Sequence, residues 1–130
     1  MILVDTAVWI DYLNGSPTEY TDELDACLIK GTVVIGDLIF LEILQGFRND
    51  REYGLAKKTL STLEQYQMFN SSMALKSASN YRKLRKSGIT IRSTIDVIIA
   101  TFCIENKIPL LFSDKDFRPF VNKLGLKSAM

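Results

Sequence analysis

Apolar residues in this chain come in short uninterrupted runs separated by stretches of helical spacing. Ile2-Leu3-Val4 stops at Asp5, and Ala7-Val8-Trp9-Ile10 with Tyr12-Leu13 then runs to Gly15-Ser16-Pro17, which reads as a strand followed by a helix. Tyr20, Leu24, Cys27 and Leu28 recur at helical spacing between Glu19 and Lys30, and Gly31 ends that helix. Thr32-Val33-Val34-Ile35 predicts a second strand. Asp37 is placed to cap a helix from Leu38 to Phe47, and a further helix is predicted over 52–66 despite Gly54. Met68-Phe69 predicts a short third strand, and helices follow over 72–86, ended by Gly88, and 94–105. Ile108-Pro109-Leu110-Leu111-Phe112 predicts a fourth strand. The tail from Phe117 to Met130 predicts one short turn of helix and an edge strand.

Strands separated by helices require parallel crossover connections, so the expected fold class is α/β: a three-layer α/β/α domain with a central, mostly parallel sheet. At 130 residues and 47% hydrophobic side chains, the chain suits one domain over 1–130. No repeat, linker or low-complexity segment interrupts it.

Composition removes several chemistries. There is no histidine, so imidazole acid-base catalysis, a Ser-His-Asp relay and histidine-bound zinc are closed to the chain on its own. Cys27 and Cys103 lie far apart in apolar surroundings without a C-x-x-C pair, which reads as two reduced packing residues. The amino terminus lacks a basic segment and Asp5 breaks its apolar run early, so no signal peptide is expected and the expected location is cytoplasmic. No uncharged run approaches the ~18 residues that span a bilayer. The net charge of +1 makes any nucleic-acid contact local.

Four acids stand in unusual places. Asp5 and Asp114 follow predicted strands, at the sheet edge where open α/β folds bind ligands; each taken alone also suits a turn or a helix cap. Glu42 is the only charge in Leu38-Ile39-Phe40-Leu41-Glu42-Ile43-Leu44, a helix apolar almost all round and therefore expected to be buried. A carboxylate there needs a cation or hydrogen-bond donors, and a buried salt bridge is the alternative to a functional role. Asp96 repeats the pattern in Ile95-Asp96-Val97-Ile98-Ile99-Ala100, where a first-turn partner of the helix dipole is the alternative. One shared site accounts for all four together. If the acids converge, their repulsion demands a cation, and an all-oxygen donor set favours Mg²⁺ or Mn²⁺ over zinc.

The segments Leu3-Val4-Asp5-Thr6-Ala7-Val8-Trp9-Ile10 and Leu41-Glu42-Ile43-Leu44-Gln45-Gly46 resemble the opening motifs of VapC toxins, ribonucleases built on the PIN domain. Thr90 to Ala100 and Pro109 to Phe117 resemble that family's third and fourth acidic motifs, so the likeness runs in order along the whole chain. The resemblance implies a PIN-like domain in which Asp5, Glu42, Asp96 and Asp114 hold a divalent metal, with Thr6 as a nearby hydroxyl. Asp116 is a second candidate for the last position, because the closing Asp114-x-Asp116 leaves open which acid points inward. The implied reaction is metal-assisted hydrolysis of RNA phosphodiester bonds. Also implied are a homodimer, a cognate VapB-type antitoxin that blocks the acidic pocket, and operator DNA bound only through the toxin-antitoxin complex.

Between Gln65 and Ile95 no acid occurs, while Lys76, Arg82, Lys83, Arg85, Lys86 and Arg92 do; the first 25 residues have the opposite bias. Arg92, Arg82 and Arg85 are the candidate RNA contacts, Arg92 foremost because it precedes Asp96 by four positions. A solvated helix face is the alternative for the helical ones. Trp9, Tyr12, Phe40, Phe47 and Phe69 read as core, leaving Tyr81 as the candidate for base stacking. Two other functions compete: a Mg²⁺-binding receiver-like phosphoacceptor, which fits poorly because Asp5 has no acidic neighbour, and a catalytically silent PIN-like interaction module. Neither G-x-x-x-x-G-K nor G-x-G-x-x-G occurs, so phosphate-loop nucleotide binding is unsupported.

Overall fold

A computed structural model describes residues 1–130. In chain order the elements are β1 (Ile2–Val4), α1 (Thr6–Leu13), α2 (Glu19–Lys30), β2 (Val33–Gly36), α3 (Asp37–Gln45), α4 (Asp50–Leu60), β3 (Glu64–Tyr66), α5 (Ser71–Lys86), α6 (Thr94–Asn106), β4 (Leu110–Leu111), a 3-10 turn (Lys115–Phe117) and α7 (Arg118–Leu124).

The four strands form one parallel sheet in the order β3-β2-β1-β4. Leu3 pairs with Val34 on one side and Leu110 on the other, which fixes the register at the centre. Two crossovers move the chain from β1 to β2 to β3, and the third carries it back past β1 to β4. Right-handed connections therefore place α1 to α4 on one face and α5 with α6 on the other. The packing agrees: α1 lies against α2 and α3, α3 against α4, and α5 against α6 and α7. The direction of winding reverses between β1 and β4, and the crevice beyond their carboxyl ends is the expected ligand position in such a sheet.

Local chemistry explains most boundaries. Thr18 and Thr21 form a reciprocal capping box at the start of α2, and Gly31 ends it at φ 71°. Asn49, Asn70 and Ser93 cap α4, α5 and α6 through side-chain oxygens. In α6, Val97 through Cys103 are all buried, as befits a helix without a polar face. Cys27 and Cys103 are buried free thiols, as expected.

Four expectations need correction. The helix expected over 52–66 ends at Leu60, and its last residues form β3, whose Glu64 and Gln65 are exposed. An edge strand with polar side chains shows no apolar alternation, so periodicity misses it. Met68-Phe69 lies in the loop beyond β3: Met68 is fully buried over Gly36, whereas Phe69 is 43% exposed and is not core. Asp37 is the first residue of α3, not its cap, and its Oδ1 accepts from the amides of Leu38 at 2.8 Å and Met68 at 3.0 Å. Finally, α3 buries only Ile39 and Ile43, and Leu41 is 52% exposed. The tail supplies α7 and a single parallel bridge between Leu110 and Ser128.

Candidate active site

Asp5 directly follows β1 at the point where winding reverses, and it is only 4% exposed. Its amide donates to the Leu111 carbonyl at 2.9 Å, which ties it to β4. Burial pushes its carboxyl up to about 7, and the nearby charges of Asp96 and Glu42 push the same way; the amides of Thr6 and Ala7 pull against them.

Asp96 sits in the first turn of α6, and its amide donates to Ser93 Oγ at 3.2 Å. Its carboxyl is raised to about 6, first by burial and then by the charges of Asp114, Glu42 and Asp116. Glu42 projects from the middle of α3, and its Oε1 accepts from the Thr6 hydroxyl at 2.6 Å. Asp114 precedes the 3-10 turn after β4, and its Oδ1 accepts from the Asp116 amide at 2.9 Å. Asp114 and Asp116 are both half-buried.

The tertiary structure thus brings together the carboxylates of Asp5, Glu42, Asp96, Asp114 and Asp116 closely enough for their charges to act on one another. They come from the ends of β1 and β4 and from α3 and α6. None has a basic partner, because the only ion pair in the chain joins Lys76 to Glu105, at 2.8 Å. The buried salt bridge considered for Glu42 is absent. The acids do not close into a ready-made cage of three or more ligands.

The basic residues fall elsewhere. Arg92 is exposed in the loop leading into α6. Arg82 and Arg85 line a cleft of about 440 Å³ between α5 and α6, together with Thr94, Val97 and Ile98 of α6. Those three residues form one stripe of α6, and at 100° per residue Asp96 projects from roughly the opposite side. Arg82 and Arg85 therefore stand outside the acidic cluster, across the amino-terminal turn of α6. Sequence reasoning missed this cleft: its wall includes Phe69, which reads as core because it follows the apolar Met68. No helix is long and apolar enough to cross a membrane.

Known proteins resemble the chain in sequence and in fold. Ribonuclease VapC11 of Mycobacterium tuberculosis is 25% identical over 131 aligned residues, covering 99% of this chain and 98% of that protein. The fold is similar to VapBC2 from Rickettsia felis, solved bound to a DNA fragment from its promoter, with a TM-score of 0.77 at 19% identity over 98% of this chain and 97% of that one. It is also similar to the DNA-bound VapBC of Salmonella typhimurium, with a TM-score of 0.73 at 17% identity and the same coverage. The profile of the PIN domain matches residues 2–121, nearly the whole chain, and the chain belongs to the PIN domain family.

Proposed function

We propose that the chain is a divalent-metal-dependent endoribonuclease, the toxin of a VapBC-type toxin-antitoxin pair, acting as one PIN-like domain in the cytoplasm. The observation that carries this reading is the gathering of five unpaired carboxylates at the winding reversal of the sheet, two of them with raised pKa values. Such a group is electrostatically costly by itself and matches a hard cation, because its donors are all oxygens and the chain has no histidine. Asp5, Glu42, Asp96 and Asp114 would hold Mg²⁺ or Mn²⁺, with Asp116 as an outer acid. When bound, the ion supplies Lewis acidity at the scissile phosphodiester.

The chain's own groups do the rest. Thr6 fixes the Glu42 carboxylate through its hydroxyl. The Ser93 cap fixes the turn that carries Asp96, and the Asp114 side chain holds the 3-10 turn at the rim. A carboxylate of the cluster orients the attacking water and accepts its proton, while Arg92 contacts the RNA backbone. The solved relatives are complexes with antitoxins, which supports a VapB-type partner that covers the acids and carries the pair to operator DNA. Exposed Leu41 and Ile10 support a homodimer through the α1 and α3 face. Cleavage of RNA by the purified chain with added Mg²⁺ or Mn²⁺, lost in Asp5→Asn and Asp96→Asn proteins that stay folded, tests the reading; retained cleavage in either variant refutes it, and a wild-type protein with no cleavage returns the silent interaction module.

A further inference from the structure

We propose that the cleft between α5 and α6 binds an unpaired nucleobase of the RNA strand, across the amino-terminal turn of α6 from the carboxylates. The identity of the ligand rests on the ribonuclease reading, whereas the cleft is independent of the acids. Its volume of about 440 Å³ falls in the range that accommodates small organic groups. Phe69 and Tyr81 give it aromatic lining, Val97 and Ile98 aliphatic lining, and Arg82 and Arg85 its positive charge. The Arg85 guanidinium carbon lies over the Tyr81 ring, 5.5 Å from its centre, so the cation covers one face of the ring and its own plane extends the stacking surface. Ser77 also lines the cleft: it is only 7% exposed, and its hydroxyl is buried without a hydrogen-bond partner in the protein. A base edge can satisfy that hydroxyl, whereas a purely apolar occupant leaves it unpaired.

Charge selects the occupant. No acid lines the cleft and neither Arg82 nor Arg85 makes an ion pair, so its guanidinium groups suit a polyanion. A second copy docked with its two-fold axis through the cleft would bring the Arg82 and Arg85 charges of both copies together. Aromatic faces beside arginine are the usual platform for single-stranded nucleic acid. An α-helix is about 10 Å across, so a strand lying over the start of α6 reaches from the cleft to Asp96 within a few nucleotides, passing the exposed Arg92.

The test is equilibrium binding of short fluorescent single-stranded RNAs, in four homopolymer sequences, to the full chain carrying Asp96→Asn. Adding Tyr81→Ala weakens binding about tenfold or more, and Tyr81→Phe retains it. Arg85→Gln, which removes no core group, weakens it severalfold, Ser77→Ala narrows the differences among the homopolymers, and Lys57→Ala on the other face of the sheet changes nothing. A hairpin of paired bases is insensitive to Tyr81→Ala. Unchanged affinity in both Tyr81→Ala and Arg85→Gln overturns the proposal, as does an equal loss for the paired hairpin. Cleft-dependent binding without any wild-type cleavage removes the ribonuclease reading and leaves the cleft, whereas cleavage with cleft-independent binding removes the cleft alone.

Discussion

The hydroxyl of Thr6 reaches Glu42 across 36 positions of sequence and donates to its Oε1 at 2.6 Å. This bond joins the first turn of α1 to the middle of α3 and sets one carboxylate of the cluster relative to Asp5, the residue just before Thr6. Its removal is expected to act through Glu42 rather than on substrate.

Thr6→Val therefore lowers kcat and the affinity for Mg²⁺ by about tenfold to a hundredfold, the usual effect of losing a group that orients a ligand. Thr6→Ser restores most of both. Magnesium titration of cleavage, together with thermal melts to show an intact fold, checks this; equal loss in the serine variant contradicts it.

Asp114 and Asp116 are separable. Asp114 ranks ahead of Asp116 among the charges that raise Asp96, and its carboxylate already braces the turn. Asp114→Asn is expected to reduce cleavage by at least tenfold more than Asp116→Asn, read as kcat/KM at saturating Mg²⁺. A larger loss in Asp116→Asn reassigns the fourth position.

Stability and pH are linked through the raised acids. Asp5 moves from 3.8 to about 7 and Asp96 from 3.8 to about 6 on folding, so between about 4 and 7 the folded metal-free protein binds more protons than the unfolded chain. Their contribution disfavours the fold as pH rises through that window. In metal-free protein, Asp5→Asn is expected to raise Tm at pH 8 by several degrees and to change it little at pH 4. Mg²⁺ is expected to stabilise the wild type more at pH 8 than at pH 5, because it competes with those protons. Thermal melts across pH with and without Mg²⁺ decide it; a Mg²⁺ shift independent of pH contradicts the linkage.

Gly36 closes β2 immediately before the helix that carries Glu42. A Cβ there would lie 2.0 Å from Met68 Sδ and 2.5 Å from its Cγ, and Met68 is fully buried. Gly36→Ala is expected to cost about 1–3 kcal/mol by overpacking. Combining it with Met68→Ala recovers part of the loss, measured by denaturant unfolding; additive losses contradict the contact.

Much of this protein is legible without coordinates. The strand at Ile2–Val4, the helices ended by Gly31 and Gly88, and the acids standing alone in apolar runs all carry local signals, because backbone propensity and burial act on neighbouring residues. The resemblance to PIN-domain toxins added the order in which those acids recur. The reading fails where the signal is not local. Glu64-Gln65-Tyr66 is a strand because β2 offers it an edge, not because of its own pattern, and Phe69 is exposed because the Met68 beside it takes the space over Gly36.

Residue order alone marks the acids that stand in surroundings resisting charge, and hence the need for compensation. The path of the chain in space selects which acids share that need. The third crossover returns the chain past β1, and that reversal puts the ends of β1 and β4 side by side, with Asp96 in the first turn of α6 close enough for its charge to act on Asp5 and for that of Asp114 to act on it. It also decided that Arg82 and Arg85 lie across α6 from the acids, since direction around a helix acquires meaning only once its neighbours are in place.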